Sequence, residues 1–461
     1  MSTAPTQTSR AFPVRFLKKT LGVAVMTLLS SSVLAEDLLQ IFNLAIENDP
    51  TIQQARAQYN AQHTLLDQGR SQLLPTISLS GTTTRQAQGA FAGNPVCDGG
   101  RCTQPYSFAN GENTKRYGLN LSQNLLNFQA WYSYQGIKKS DQVAALTLAQ
   151  AEQQLIMRVA SAYFDVLRAQ ADLTSLQAEE TAAMQLLEQT QQRFDVGLIP
   201  ITDVNDSQFR ADEVTVRRLV QENVLSQRFE ALEAITGVDY TSVSMLSPEF
   251  PITSPETSLD EWTALTRNNN IQLQSAQLDL EAKREDARAA RSALLPTLGL
   301  SMGWNRSFPA GVSLFTVANE QSSISLEFSM PLFAGGLNRA RMRQAYYNRD
   351  ASESVLLRTQ RESEQSISNS YRTVETDVRA VAAQAQAIVS AQSSLEANTV
   401  GAEVGTRNIV DVVQAQGALF QAQRNHANAR IQYVIDTLTL KQTAGVLSPQ
   451  DIIDLNQWLL Q

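Results

Sequence analysis

Side chains that could carry out chemistry are few in this sequence and lie far apart. His63 and His426 are the two histidines, and each lies in a stretch rich in Ala and Gln. Neither a glycine-rich phosphate loop nor a metal-ligand spacing accompanies them. The sequence therefore predicts neither an enzyme nor a bound cofactor or metal, and the histidines are better explained as solvated or packed side chains.

The two cysteines, Cys97 and Cys102, bracket the segment Asp98-Gly-Gly-Arg101. Their spacing differs from that of a CxxC redox motif, and the neighbouring residues are typical of a surface loop. In an oxidising compartment a short local disulfide that staples this loop is the expected state.

Export to such a compartment is indicated by the first 35 residues. They contain four Lys or Arg side chains and no acid, then an apolar run over residues 21–34 and small residues before Glu36. This order predicts a cleaved signal peptide over residues 1–35, because the apolar run is too short to span a bilayer. Its removal changes the net charge from −8 to −12 (−8 − 4), which makes nucleic acid an unfavourable partner.

The remaining candidates are carboxylates that follow two Val-Gly pairs. The first group is Val196-Gly197 with Asp203, and the second is Val404-Gly405 with Asp411. Glycine can adopt the left-handed conformation that ends a helix, and a carboxylate is favoured in the first turn of the next helix. Thr202 is a suitable N-cap for that helix. Capping accounts for these residues, and a further role of the carboxylates stays open on chemistry alone.

These two groups belong to an internal duplication. The pairs Val196 and Val404, Tyr163 and Tyr371, and Gly237 and Gly445 all lie 208 residues apart. A Leu-Leu-Pro-Thr phrase also occurs twice, ending at Thr76 and at Thr297. A duplicated unit of this length indicates one structural module used twice.

After each Leu-Leu-Pro-Thr phrase the apolar pattern changes to period two. In the second copy, for example, Ile324, Leu326 and Phe328 alternate with Ser325 and Glu327. Such segments of about ten residues are typical of membrane-spanning barrel strands, and strands of a soluble sandwich are the alternative. The predicted strands are residues 75–84, 114–127, 296–305 and 322–333, and the predicted loops between them are 84–113 and 306–321.

Long stretches without proline follow the strands. Ala, Gln, Leu, Glu and Arg dominate residues 128–196 and 338–404, and about 65 residues would make a helix of roughly 100 Å. Shorter helices, 202–236 and 409–442, are expected to return along them. Rods of this length cannot bury an apolar stripe alone, so they are expected to pack as coiled coils.

Together these elements predict an α+β membrane protein with two repeats. The first repeat spans residues 36–240 and the second 259–442, residues 241–258 join them, and residues 443–461 form a C-terminal counterpart of the joining segment. Each repeat supplies two strands, and four strands cannot close a barrel, since about eight are the minimum and lipid does not tolerate open edges. Copies of the chain must therefore pool strands, and three copies would leave a passage.

The repeated phrases, the Val-Gly turns, the segment Phe333-Ala-Gly-Gly336 and the segment from Val404 to Val412 resemble the TolC family of outer-membrane efflux ducts. The resemblance covers essentially the whole mature chain. It implies a homotrimer in the bacterial outer membrane, with one twelve-stranded β-barrel and a coiled-coil periplasmic tunnel. It also implies efflux of drugs and other small toxic compounds, and possible export of type I secreted proteins.

The family resemblance further implies partners and a gate. An inner-membrane transporter would dock through a periplasmic adaptor at the hairpin tips, marked by Val196, Gly197, Val404 and Gly405. In the family, an Arg after the second Val-Gly pair reaches a Thr-Asp pair of the first turn and keeps the tunnel closed. The matching residues of this chain are Arg407, Thr202 and Asp203.

The match to the family's gate is incomplete. Ala402 stands where a second link uses Tyr, which predicts a looser closed state. The family's two acidic rings correspond to Asp411 and Gln414, so we expect one acidic, cation-attracting constriction. Asp206 occupies the repeat-equivalent place of Gln414 (414 − 206 = 208).

Two other classes of protein are alternatives at this point. A surface-exposed coiled-coil or adhesin-like protein would need neither paired alternating strands nor the tip motifs. A simple diffusion porin would not need the rods. Drug efflux and protein export use the same kind of duct in this family, so both stay open as classes of cargo.

Overall fold

A computed structural model of the chain describes residues 37–86, 89–91, 96–103, 106–108, 112–308 and 318–460. The predicted signal peptide lies outside these residues. The described helices are α1 (Leu38–Asn48), α2 (Pro50–Ser71), α3 (Phe128–Asp195), α4 (Ile201–Thr236), α5 (Leu259–Asn269), α6 (Ile271–Ser292), α7 (Leu337–Glu403), α8 (Ile409–Ala444) and α9 (Pro449–Asn456). The described strands are β1 (Thr76–Gln86), β2 (Gly89–Phe91), β3 (Val96–Asp98), β4 (Arg101–Thr103), β5 (Tyr106–Phe108), β6 (Glu112–Leu126), β7 (Met245–Leu246), β8 (Thr297–Phe308), β9 (Asn319–Ser329) and β10 (Leu459–Leu460).

The internal duplication is visible in the lengths of the helices. Helices α1 and α5 each have 11 residues, and α2 and α6 each have 22. The long helices α3 and α7 have 68 and 67 residues, and their partners α4 and α8 have 36 each. Among the described residues, none of these helices combines the length and the apolar character needed to cross a membrane.

Strands from both repeats form one antiparallel sheet in the order β1-β6-β8-β9. The register aligns Ile77 with Leu121, Leu121 with Met302, and Met302 with Ile324. Directly opposite residues share a face of a sheet, so one face is apolar, whereas Thr76, Ser122, Ser301 and Ser325 align on the other. Within the described part of the chain this apolar face is uncovered, since Ile77 and Ile324 are 69% and 72% exposed.

The segment predicted as the first loop contains short strands, so this part of the prediction was wrong. Strand β2 pairs with β5, and β3 pairs with β4. Gly99 and Gly100 join β3 to β4 with φ angles of 54° and 86°, which match a type I′ hairpin turn. This register places Cys97 directly opposite Cys102, and Cys97 is disulfide-bonded.

The long helices pass through a helical layer and a central core. Near the sheet, neighbouring helices follow the order α2-α3-α6-α7, and beyond the core they follow α4-α3-α8-α7. The core surrounds the middle of α3, where Tyr163 and Phe164 are fully buried against residues of α1, α8 and α9. The Tyr163 hydroxyl donates to the carbonyl of Ser244 at 2.6 Å. We call the pair α3 and α4 the first hairpin, and α7 and α8 the second hairpin.

Candidate functional site at the helix-hairpin tips

The two hairpins end in the same backbone turn. Gly197 has a φ of 77° and Gly405 a φ of 76°, a left-handed conformation that strongly favours glycine. Leu198 N–H donates to the Arg193 carbonyl at 2.9 Å, and Thr406 N–H donates to the Gly401 carbonyl at 2.8 Å. These bonds, with those from the glycine N–H groups, form Schellman motifs that satisfy the last carbonyls of α3 and α7.

The start of α8 is capped by side chains. Asn408 is the N-cap residue and accepts the Asp411 N–H at 2.9 Å, while Asp411 accepts the Asn408 N–H at 3.4 Å. This reciprocal pair is a capping box. The Asp411 carboxylate therefore lies where the positive end of the α8 dipole stabilises a negative charge.

The start of α4 differs from the prediction. Pro200, not Thr202, is the N-cap residue, and it makes no side-chain hydrogen bond. The extended backbone of Pro200 begins the helix before Thr202, so Thr202 already lies inside the first turn. Its hydroxyl instead lies 3.4 Å from an Asp203 carboxylate oxygen.

Arg407 lies in the turn between α7 and α8, where it is held by its backbone and by a carboxylate in the first turn of α8. Its N–H donates to the Gly401 carbonyl at 3.1 Å. A Cβ atom on Gly401 would lie 2.7 Å from the Arg407 Cγ, so this glycine leaves room for the arginine stem. The Arg407 Nη1 lies 3.8 Å from an Asp411 carboxylate oxygen. Among the described ion pairs, Arg407 has this partner and none on the first hairpin, so one chain alone does not bring Arg407 to Asp203.

The other tip residues face solvent. Asp206 and Gln414 are both exposed, and they lie on different hairpins. The apolar side chains Val196, Leu198 and Val404 are 71%, 73% and 68% exposed. The tips therefore present an apolar surface next to charged groups.

An ionic cluster further up the hairpins was not expected from the sequence. Glu179 of α3, whose side chain is 2% exposed, accepts hydrogen bonds from Arg210 and Arg217 of α4 at 2.7 and 2.9 Å. Its second oxygen accepts from Arg424 of α8 at 2.8 Å. We call these four residues the Glu179 cluster. Its three arginines lie 31 to 245 residues from Glu179 along the chain, so the sequence did not reveal the cluster. The i,i+7 spacing of Arg210 and Arg217, which places them on one face of α4, was a weak signal.

A second unexpected feature lies between the helices of the second hairpin. Asp377 of α7 faces Asp436 of α8, and burial together with that neighbouring carboxyl raises the pKa of Asp377 to about 7. No donor among the described residues reaches the buried Asp377 Oδ2, whereas the Asp436 Oδ2 accepts from Gln432 at 2.9 Å. The repeat offset gives no hint of this pair, since the counterpart of Asp436 in the first hairpin is Arg228 (436 − 208).

Within the described ranges, no group of three or more His, Cys, Asp or Glu residues is arranged to hold a metal ion. The described contacts are ion pairs and hydrogen bonds, within the turns at the tips and between helices at the Glu179 cluster. Such contacts can hold one arrangement of helices against another.

Comparison with known proteins gives a match over nearly the whole chain. The model of the family described as "Outer membrane efflux protein" matches residues 41–238 and 262–446. The outer membrane protein TolC of Vibrio cholerae is 33% identical over 440 residues, which cover 95% of this chain and 97% of that protein. The proteases secretion protein PrtF of Dickeya chrysanthemi is 24% identical, over 96% of this chain and 95% of its own length.

A solved structure of CusC has the same fold. The two superpose with a TM-score of 0.77 at 15% identity, over 90% of this chain and 93% of CusC. The two repeats, the four-stranded sheet and the long hairpins therefore form an arrangement shared with solved structures.

Proposed function

Because the chain belongs to the outer membrane efflux protein family, we propose that three copies of it form one duct from the periplasm to the exterior. The protein is an outer-membrane channel for efflux and type I secretion, with a large periplasmic part. The trimer, its gate and its partners are the proposal.

One observation carries this proposal: an exposed apolar sheet face is joined to helices far longer than a compact domain needs. On β8, the residues Leu298, Leu300, Met302 and Trp304 lie on the apolar face, and they cover about 20 Å along the strand at about 3.3 Å per residue. Because strands in outer-membrane barrels are tilted by about 35–45°, this span covers roughly 15 Å of their apolar band, which is roughly 25 Å tall. At the outer end of this face, Arg306 pairs with Glu320 at 3.3 Å, as expected where lipid gives way to polar surroundings.

The free edges of the sheet support assembly with identical copies. Strands β1 and β9 lie at the two edges, and their directions are opposite because each neighbouring pair in the sheet is antiparallel. The β9 edge of one copy can therefore continue into the β1 edge of the next as an antiparallel pair. Three copies give 3 × 4 = 12 strands, which enclose a passage, whereas two copies would enclose only side chains.

Cargo would reach this duct from an inner-membrane transporter through a periplasmic adaptor at the hairpin tips. The exposed Val196, Leu198 and Val404 supply apolar contacts for such an adaptor. The name of PrtF describes secretion of proteases, and we extend that role to this chain as one class of cargo beside small toxic compounds.

At the tips, Arg407 would exchange between two carboxylates. Within one chain it contacts Asp411 at 3.8 Å, and its side chain is 60% exposed. Such an exposed pair contributes less than about 1 kcal/mol, so Arg407 can leave it at low cost. In the closed trimer we place Arg407 against Asp203 and Thr202 of a neighbouring copy, and in the open state against Asp411.

Planar-bilayer conductance of the purified trimer tests the gate. Arg407→Ser removes the closing contact, so single-channel conductance should rise above that of the unmodified protein. The matched control is Arg379→Ser, because Arg379 also forms an exposed i,i+4 ion pair, with Glu375, but lies about 36 Å from the end of α7. Equal conductance of the unmodified protein and the Arg407 variant would reject the contact of Arg407 with Asp203 as the lock that keeps the tunnel closed.

Divalent cations test the acidic constriction. Asp411→Asn removes the charge but keeps an oxygen that can accept the Asn408 N–H, so α8 keeps its cap. Block of the current by divalent cations should weaken in this variant. If the variant and the unmodified protein are blocked at the same cation concentration, the constriction lies elsewhere.

The mass of the detergent-solubilised particle tests the assembly itself. A trimer-sized, mostly helical particle is expected from light scattering and circular dichroism. A stable monomer without detergent would favour a surface coiled-coil protein, and the long helices already disfavour a simple diffusion porin.

A further inference from the structure

The Glu179 cluster joins three helices from both hairpins. Glu179 lies on α3, Arg210 and Arg217 on α4, and Arg424 on α8, with N–O distances of 2.7, 2.9 and 2.8 Å. The side chains of Glu179 and Arg424 are 2% and 8% exposed. One carboxylate therefore receives hydrogen bonds from both sides of the interface between the hairpins.

Neighbouring side chains complete the cluster. Arg424 also donates to Ser175 at 3.3 Å and to Gln421 at 2.9 Å. Glu213 receives a bond from Arg210 at 2.7 Å. Because charge-assisted hydrogen bonds in poorly hydrated surroundings are strong, α8 is tied to the first hairpin at this level.

The absence of a side chain at Gly417 of α8 leaves space for the Arg210 guanidinium group to reach Glu179. A Cβ atom at Gly417 would lie 2.5 Å from the Arg210 Nη2. Glycine inside a helix is less stable than alanine, and Gly417 has an ordinary helical backbone. Its presence is therefore explained by the passage of the guanidinium group rather than by backbone conformation.

The cluster is not repeated in the second hairpin. The counterparts at the 208-residue offset are Ala387 for Glu179, Ala418 for Arg210, Asn425 for Arg217 and Val216 for Arg424. Helix α7 therefore has no equivalent of Glu179, and the contact ties α8 alone to the first hairpin.

The cluster also has a defined height above the tips. Glu179 precedes the end of α3 by 16 residues (195 − 179), and Arg424 follows the start of α8 by 15 (424 − 409). At 1.5 Å per residue, both lie roughly 23 Å from the tip turns.

We propose that Glu179 and Arg424 are positioning residues that anchor α8 to the first hairpin, so that gate opening moves α8 only between the cluster and the tip. The inference rests on the proposed gate, and it specifies where along α8 the moving segment ends. Movement above the cluster would require Arg424 to leave a buried carboxylate, whereas the tip contact of Arg407 with Asp411 is exposed.

Amide hydrogen exchange of the full-length trimer tests the boundary. In the unmodified protein, residues 409–420 of α8 should exchange faster than residues 426–438. Arg424→Met removes the charge but keeps an apolar stem, and it should speed exchange of residues 426–438 about tenfold, since Glu179 retains its two other partners. Arg379→Met, at an exposed pair, is the control and should leave α8 unchanged.

A second variant, Gly417→Ala, distinguishes the effect of the Glu179 cluster on amide exchange of α8 from the effect of helix propensity. Gly417→Ala keeps every charge and favours a helix, so a role confined to α8 itself predicts slower exchange. If α8 must stay seated against the Glu179 cluster, the added methyl group meets Arg210 across the interface, pushes α8 away from the first hairpin and speeds exchange above the cluster instead. Adding Arg210→Gln removes the clash and should return the exchange of Gly417→Ala toward that of Arg210→Gln alone.

The outcomes separate this inference from the proposed function. Uniform exchange along α8, or slower exchange in Gly417→Ala, would overturn the anchor whatever the channel conducts. An unchanged conductance of Arg407→Ser with an intact exchange boundary would reject the lock but leave the anchor standing.

Discussion

Raising the pH should loosen the second hairpin at Asp377. This carboxyl faces Asp436 across the interface between α7 and α8, and burial is the main cause that raises its pKa from 3.8 to about 7. A proton shared by the two carboxyls would satisfy the Asp377 Oδ2, which no donor of the described residues reaches. On the other side of Asp436, Gln432 connects it to Arg168 of α3, with bonds of 2.9 and 3.1 Å.

The direction of the effect follows from proton binding. Between about pH 4 and pH 7 the folded hairpin keeps a proton that the unfolded chain has released. Because its folded pKa is raised, Asp377 stabilises the hairpin fully below the unfolded pKa of 3.8 and loses this contribution as the pH rises through about 7. Above that pH two carboxylates repel each other across the interface.

The size of the effect is bounded by the same pKa values. The difference between 3.8 and about 7 would correspond to a ceiling of about 4 kcal/mol at 1.4 kcal/mol per tenfold change in proton binding. Asp377 is only partly buried, so screening by water should reduce this to about 1 kcal/mol. The local opening equilibrium of α7 around Asp377 should therefore increase roughly fivefold between pH 5 and pH 8.

Hydrogen exchange at pH 5 and pH 8, corrected for the intrinsic pH dependence of amide exchange, measures this opening. Asp377→Asn is permanently uncharged and should remove most of the difference. The control is Asp165→Asn in the first hairpin, where Asp165 faces Arg228 at 3.6 Å instead of a second acid. If the Asp377 variant responds to pH as strongly as the unmodified protein, the shared proton is not what holds the hairpin.

Two further predictions compare matched positions. Gly237 and Gly445 have φ angles of 72° and 77°, but only at Gly445 would a Cβ atom meet backbone, 2.2 Å from the Asn269 carbonyl oxygen. Gly237→Ala should therefore cost about 1 kcal/mol and Gly445→Ala clearly more, measured as thermal stability of the purified protein; equal losses would contradict the clash. On β9, Ile324→Arg places a charge on the apolar face and should cost about 2–4 kcal/mol, whereas Ser323→Arg lies on the polar face, and equal assembly of both into the outer membrane would reverse our assignment of the two faces.

Much of the fold was predictable because its patterns are long and repeated. The 208-residue offset between the Val-Gly motifs indicated two copies, and the alternation around Ile324 indicated which face of the sheet is apolar. The long helices were predictable because stretches without proline permit few alternatives. These signals are local or periodic, so a single sequence displays them.

The side-chain contacts were less predictable, for three different reasons. The Thr202 cap was mispredicted because the extended conformation of Pro200 starts the helix two residues earlier. Glu179 and Arg424 are 245 residues apart (424 − 179), and a lone charge on a helix normally indicates a solvated face. The lock between Arg407 and Asp203 stays a prediction, since it would join different copies of the chain.

The matched helix lengths have a consequence for whatever meets the free ends of the rods. Since α4 and α8 both have 36 residues, and α3 and α7 have 68 and 67, both turns of a protomer finish at nearly the same level. A ring of three copies would thus end in six helix-hairpin turns of two alternating kinds. In one kind the N-cap residue of the returning helix is Pro200, and in the other it is Asn408. A ring-shaped partner with sixfold symmetry could contact all six turns, whereas a partner with threefold symmetry could contact only one of the two kinds in an equivalent way.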